Sequence, residues 1–183
     1  MPFRGAGLLA RSAQPVTSHH DRLPRRIQLS ARLSDHTRRC PVSPEENKAV
    51  VRRFYDLFNE GNLEGLGEVF AADALDHDPV PGQAPGLEGV KQSVAPFLSG
   101  FPGIQITIEQ MIADGDRVAD RIVARGTHTG EFLGIPPTGK PVTVKALNMY
   151  RIAGGKIVEA WHIEDVFGMM VQLGVVPTPG EGG

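Results

Sequence analysis

With Cys40 as its only cysteine, the chain cannot form an intrachain disulfide, and thiolate-rich metal sites are excluded. Nothing in its cysteine usage marks an oxidising compartment. No apolar run approaches the ~20 residues of a membrane-spanning helix, the longest near the start covering only residues 6–10. Lysine is missing from residues 1–41, where eight Arg stand against two Asp. That segment carries +6, so the total of −2 leaves −8 for residues 42–183. An acidic body argues against nucleic acid as a partner, because a phosphate backbone calls for a basic face.

Three segments follow from composition. Residues 1–41 are rich in Arg, Ser, Pro and His without apolar periodicity, and they read as a disordered extension. Arg-rich, acid-poor extensions also resemble organellar transit peptides, although a cytoplasmic location is the leading expectation. Residues 42–177 are expected to form one domain, long enough to bury a sizeable core, and residues 178–183 a short disordered tail.

Within the domain the apolar period changes from helical to strand-like. Ser43-Pro44-Glu45-Glu46 is a capping box with proline at the first helical position, followed by Val50, Val51, Phe54, Tyr55 and Phe58 at helical spacing. A helix over 44–60 is expected, with further helices over 63–70 and 88–99. After Gly103 the period is two. Ile104, Ile106 and Ile108 alternate with polar residues, and Asp114-Gly115-Asp116 turns into a second strand over 117–129. Strands over 142–152 and 156–164 flank the turn Gly154-Gly155, and Asp165 caps a last short helix over 166–173. Helices first and a meander afterwards predict an α+β fold, with three N-terminal helices packed on a curved antiparallel sheet.

Strand parity then selects polar residues that face inward. Val144, Ala146, Asn148, Tyr150 and Ile152 share one face, while Lys145 and Arg151 mark the other as outer. On the neighbouring strand Val158, Ala160 and His162 share a face, which sets His162 across from Asn148. Asp120 and His128 point the same way. Several polar groups on one inner face suggest a cavity, since buried polar groups must be hydrogen-bonded. His162 has the bland alternative of a core histidine bonded to Asn148 or a backbone carbonyl, and Asp165 reads as a cap before it reads as a catalyst. Asp76-His77-Asp78-Pro79 offers metal-ligand residue types, but alternation would split them between faces, so no metal is expected. Gly126 to Lys140 combines His128, Glu131, Phe132 and Pro136-Pro137 in one glycine-punctuated loop, which is either part of a site or a rigid turn.

Phe54-Tyr55-Asp56-Leu57-Phe58-Asn59, Asp76-His77-Asp78-Pro79, Gly126-Thr127-His128-Thr129-Gly130, Pro136-Pro137-Thr138-Gly139, Gly155-Lys156-Ile157 and Gln172-Leu173-Gly174 together resemble the SnoaL-like polyketide cyclases, also called ester cyclases. The resemblance covers about residues 46–177. It implies a nuclear-transport-factor-2-like cone, also called cystatin-like, with helices capping a curved sheet around an apolar pocket. It further implies ring closure by intramolecular aldol condensation of a polyketide ester, with no metal or organic cofactor, through an Asp and a His on neighbouring strands. Those two positions are occupied here by His162 and Asn148, so the dyad is altered.

The reading is a cofactor-independent enzyme that moves a proton next to a carbonyl, by aldol cyclisation, isomerisation or dehydration. His162 is the acid/base, Asn148 a carbonyl or oxyanion partner, and Asp120 an orienter of His162. Tyr55, His77, His128, Phe132 and Tyr150 are expected to contact a small lipophilic carbonyl-containing ligand. A non-catalytic binder of lipophilic molecules is the alternative, as is an epoxide hydrolase suggested by the pair Asp120-Arg121, although parity sends those side chains to opposite faces. Trp161 and Met149 on the outer face suggest a homo-oligomer, a dimer or a tetramer.

Overall fold

The computed structural model describes residues 43–176. The readings of residues 1–41 as a disordered extension and of 178–183 as a tail lie outside the described residues. Helix α1, Pro44–Asn59, begins as its sequence requires: Ser43 Oγ accepts from Glu46 N at 3.2 Å, and Glu46 Oε2 accepts from Ser43 N at 2.6 Å. Its buried stripe of Val51, Phe54, Tyr55 and Phe58 faces the sheet. A second α-helix, α2, spans Gly86–Gly100, and α3 spans Val166–Leu173. Asp165 caps α3, with Oδ1 accepting from Gly168 N at 2.8 Å.

Five strands form one open curved sheet: β1 Phe70–Asp76, β2 Gln105–Asp114, β3 Arg117–Thr127, β4 Pro141–Ala153 and β5 Lys156–Glu164, in the order β1-β5-β4-β3-β2. The antiparallel run from β2 to β5 follows the expected meander. Two features correct the expectation. The segment expected as a helix over 63–70 is a short 3-10 turn, Glu64–Glu68, whose Gly65 and Gly67 weaken α-helical propagation. The residues after it form β1, which pairs parallel with β5 at Leu75↔Glu159 and Asp76↔Ala160. Its Ala- and Asp-rich sequence has little strand propensity, so pairing with β5 decides its conformation. Two α-helices, not three, therefore precede the meander, and the sheet is mixed.

A register shift in the β4–β5 hairpin also corrects the parity reading. Arg151 pairs with Glu159 and Ile152 with Ile157, which leaves Val158 as the extra residue of a bulge. Ile157 turns inward and is fully buried, while Val158 leaves the inner face that sequence alternation gave it. Beyond the bulge Ala160 and His162 keep their expected side.

The loop from 128 to 140 is built as a rigid turn. His128 N donates to Lys140 O at 2.9 Å, and Gly139 N donates to His128 O at 2.8 Å. Thr129 N and Gly130 N both donate to Gly100 O, joining the loop to the end of α2. A side chain at Gly130 would collide with the backbone carbonyl of Ser99. Gly130→Ala should therefore destabilise the fold by roughly 1–3 kcal/mol through overpacking against backbone. A fall in the urea midpoint with unchanged slope checks this; an unchanged midpoint would show that the loop yields freely.

Candidate active site

Three strands hold the site in one transverse row. Asp120 of β3 pairs with Asn148 of β4, and Asn148 pairs with His162 of β5. Antiparallel partners lie on the same face, so all three side chains rise from the inner surface under α1. Tyr150, one row along, pairs with Ala160, which in turn pairs with Asp76 of β1. The adjacent row on the other side pairs Ala146 with Glu164.

Asp120, Asn148, Tyr55 and Tyr150 form a closed hydrogen-bond network. The Tyr55 hydroxyl from α1 donates to Asp120 Oδ2 at 2.8 Å. Asn148 Nδ2 donates to Asp120 Oδ1 at 2.8 Å and to the Tyr55 oxygen at 3.1 Å. With the single Tyr55 proton directed at Asp120, the 2.9 Å contact between the two hydroxyls is a donation from Tyr150 to Tyr55. Burial raises the Asp120 pKa, and the bonds from Asn148 and Tyr55 oppose that shift. Burial likewise pushes both tyrosine hydroxyls well above their usual range, so they stay protonated. Each donor proton in this network already has an acceptor.

His162 stands beside that network in a different environment. Its Nδ1 lies 2.9 Å from Glu164 Oε1 and its Nε2 lies 3.1 Å from Asp76 Oδ1. A ring with carboxylates at both nitrogens is an imidazolium donating twice. The hydrogen bond to Glu164 is the main cause that lifts its pKa from 6.5 to about 9, against the opposing effect of partial burial. Asp76 is also gripped from the loop after β1, where Gln83 Nε2 donates to Asp76 Oδ2 at 2.8 Å. A groove of about 560 Å³ beside β1 is lined by residues including Ala74, Asp76, Pro79, Gln83 and Pro85. A smaller hollow of about 350 Å³, which includes Arg151 and Glu159 in its lining, shares no residue with the row. Among the described residues no cluster of three His, Cys, Asp or Glu is disposed to hold a metal ion.

The domain matches the family model for SnoaL-like polyketide cyclase over residues 48–173. This chain belongs to that family. It is 27% identical over 138 residues to the aklanonic acid methyl ester cyclase DnrD of Streptomyces peucetius, covering 71% of this chain and 92% of DnrD. The corresponding cyclase DauD of Streptomyces sp. strain C5 is also 27% identical over 138 residues, covering 71% and 83% of the two chains. Among solved structures, IdmH of Streptomyces antibioticus superposes with a TM-score of 0.62 at 40% identity, covering 70% of this chain and 98% of IdmH.

Within the SnoaL-like domain the structure gathers some of the residues picked from sequence and separates others. Tyr55, Asp120, Asn148, Tyr150 and His162 meet on the inner face. Asp120 does not orient His162, since its oxygens accept from Tyr55 and Asn148, and the orienting carboxylates are Asp76 and Glu164. Asn148 has no proton left for a carbonyl or oxyanion, because Asp120 and Tyr55 take both. His77 lies apart, bonded to Glu159 at 2.9 Å and stacked on Trp161 at 4.2 Å. His128 follows Asp120 by eight positions along β3 and its end, roughly 26 Å of extended chain. It is buried against Phe101 and Phe132, with Nδ1 accepting from Thr138 N at 3.2 Å. Phe132 is buried in the same packing. The epoxide hydrolase pair is split as parity required, with Asp120 buried and Arg121 ion-paired to Glu109.

Sequence reasoning missed Asp76 and Glu164 as partners of His162. Glu164 was legible by alternation, two residues beyond His162 on the same strand face. Asp76 was not, because its approach depends on the parallel pairing of β1.

Because the folded pKa of His162 lies above its unfolded value, its contribution to stability is complete below about pH 6.5 and is lost as pH rises through about 9. An imidazole titration by NMR should place the midpoint near 9, and unfolding free energy should fall across that window. His162→Gln should remove this part of the pH dependence; an imidazole midpoint near 6.5 would contradict the double carboxylate clamp.

Proposed function

We propose that this SnoaL-like chain catalyses cofactor-independent acid/base chemistry at the carbon next to a carbonyl, in a polyketide-like ester, from a centre built on His162. The observation that carries the reading is the clamped His162 imidazolium on the inner face, one strand from the saturated Asp120-Asn148-Tyr55-Tyr150 network. Proton removal from a carbon acid leaves an enolate, and a fixed positive charge beside the reacting carbon favours it. Aldol closure then forms one carbon–carbon bond and returns the proton, so the step is balanced without any redox partner. The relatives DnrD and DauD carry the name aklanonic acid methyl ester cyclase, which makes that ester the first substrate to test.

The network supplies position. Tyr55 brings α1 down onto β3 and β4, and Tyr150 and Asn148 hold the row beneath any substrate carbonyl. The groove beside β1, whose lining includes Asp76, is the space we assign to the apolar body of a ligand. Incubating the full chain with aklanonic acid methyl ester should yield a cyclised isomer of the same mass, resolved by chromatography and NMR. His162→Gln should lower the initial rate by about 10²-fold or more, the usual scale for losing a preorganised group that stabilises a developing oxyanion. Saturable binding with no product in the wild type would favour a non-catalytic binder, and an undiminished rate in the variant would remove His162 from the chemistry.

The outer face supports a homo-oligomer. Ile112, Leu147 and Ile163 are 70%, 60% and 74% exposed, and Leu147 and Ile163 are direct cross-strand partners. Met149 and Trp161 form the next pair on that side. Large apolar side chains in adjacent rows of a sheet are a poor surface for water and a good one for a second copy. Light scattering should give a multiple of the 19.7 kDa chain mass, reduced to one chain by Leu147→Lys with Ile163→Lys. A monomeric wild type would overturn this part.

A further inference from the structure

Both ring nitrogens of His162 are engaged, and both Asn148 protons are engaged, so neither group as it stands presents an open hydrogen-bonding position to a substrate. The two carboxylates beside His162 differ in the same respect. Asp76 is saturated: Oδ1 accepts from Asp78 N at 3.0 Å and from His162 Nε2 at 3.1 Å, while Oδ2 accepts from Gln83 Nε2 at 2.8 Å and lies 3.3 Å from His162 Nε2. Its side chain is 12% exposed. Among the described residues Glu164 accepts only from His162 Nδ1, through Oε1, and its side chain is 34% exposed. Among the described residues no hydrogen bond reaches Glu164 Oε2. Its cross-strand neighbour on β4 is Ala146, whose methyl group takes up little of the space above the sheet.

We propose that Glu164 Oε2 is the atom that takes the proton from the carbon next to the carbonyl, with His162 as its fixed cationic partner and Asp76 as the anchor of the far ring nitrogen. The assignment rests on the carbonyl acid/base reading above and names the group that performs it. In the first step the carbon–hydrogen bond breaks, its electron pair enters the enolate, and the proton forms the Glu164 carboxylic acid. The imidazolium, until then neutralised by two carboxylates, is left beside one carboxylate and the new enolate. In the second step the enolate carbon adds to another carbonyl carbon, and the resulting alkoxide recovers the proton from Glu164. Atoms and charge balance with no further reactant. Gln83 acts as a positioning residue through Asp76, since it holds the carboxylate oxygen that His162 does not approach most closely.

The test is solvent deuterium incorporation into 2-tetralone, a bicyclic aromatic ketone, catalysed by the full chain and followed by NMR between pH 6 and 10. Wild type should exchange above the buffer rate, and Glu164→Gln should lose about 10²-fold or more at every pH, as expected for removal of a general base. Glu164→Asp should recover part of that loss, which an unfolded or merely destabilised variant would not do. If His162 itself were the base, removing the Glu164 charge would lower its proton affinity and free neutral imidazole at lower pH. The profile of Glu164→Gln would then move to lower pH with an undiminished plateau, and the assignment to Glu164 would be overturned. No exchange by wild type would instead overturn the carbonyl acid/base reading, and the base assignment with it.

Discussion

The buried carboxylate of Asp120 is the constraint on which the inner face depends. A carboxyl group placed under a helix, away from water, persists only if donors converge on it, because an unsatisfied one costs several kcal/mol. Tyr55 from α1 and Asn148 from β4 are those donors, and Tyr150 completes the set by donating to Tyr55. This one cluster therefore ties the first helix to two central strands and fixes which side of the sheet the helix covers. Phe54 packs beside Tyr55 and edge-on to Phe70 and Tyr150, so the apolar core grows outward from the same contact.

Satisfaction of that network also sets it apart from the His162 cluster. A cluster whose protons all have acceptors is rigid, and rigidity is what a positioning platform needs. His162, one strand away, has the opposite character: partly exposed, charged at neutral pH, and bracketed by carboxylates of unequal saturation. The inner face thus contains a buried, hydrogen-bonded half and a half with the His162 ion pairs, joined at the Asn148–His162 pair. SnoaL-like chains share the scaffold, and in this chain the pairing of His162 with Asp76 and Glu164 places charge on its inner face.

Much of this was readable before the fold was known. Alternation along β3 and β4 put Asp120, Asn148 and Tyr150 on the inner face, and the turn Gly154-Gly155 set His162 opposite Asn148, which is the observed pair. The capping box at Ser43 and the cap at Asp165 were local events and appeared where they were expected. The loop around His128 stayed open between site and rigid turn, because a histidine and an aromatic in a glycine-rich loop read alike in either case, and the structure buries both side chains. Val158 was misplaced through a bulge, which shifts parity by one residue and leaves no mark in alternation alone.

Helix starts, strand faces and hairpin partners depend on neighbours a few residues apart, and for that reason the sequence by itself determined the meander, the inner polar row and the family. Tertiary structure alone decided the conformation of Phe70–Asp76, which has weak preferences of its own and becomes a strand only by lying parallel to β5. That pairing brings Asp76 across 86 positions of sequence to His162 and adds a second carboxylate to the one Glu164 supplies from the same strand. The charge of the histidine is favoured first by a neighbour two residues along its own strand, whereas the anchor at its far ring nitrogen comes from a segment with no local signal for it.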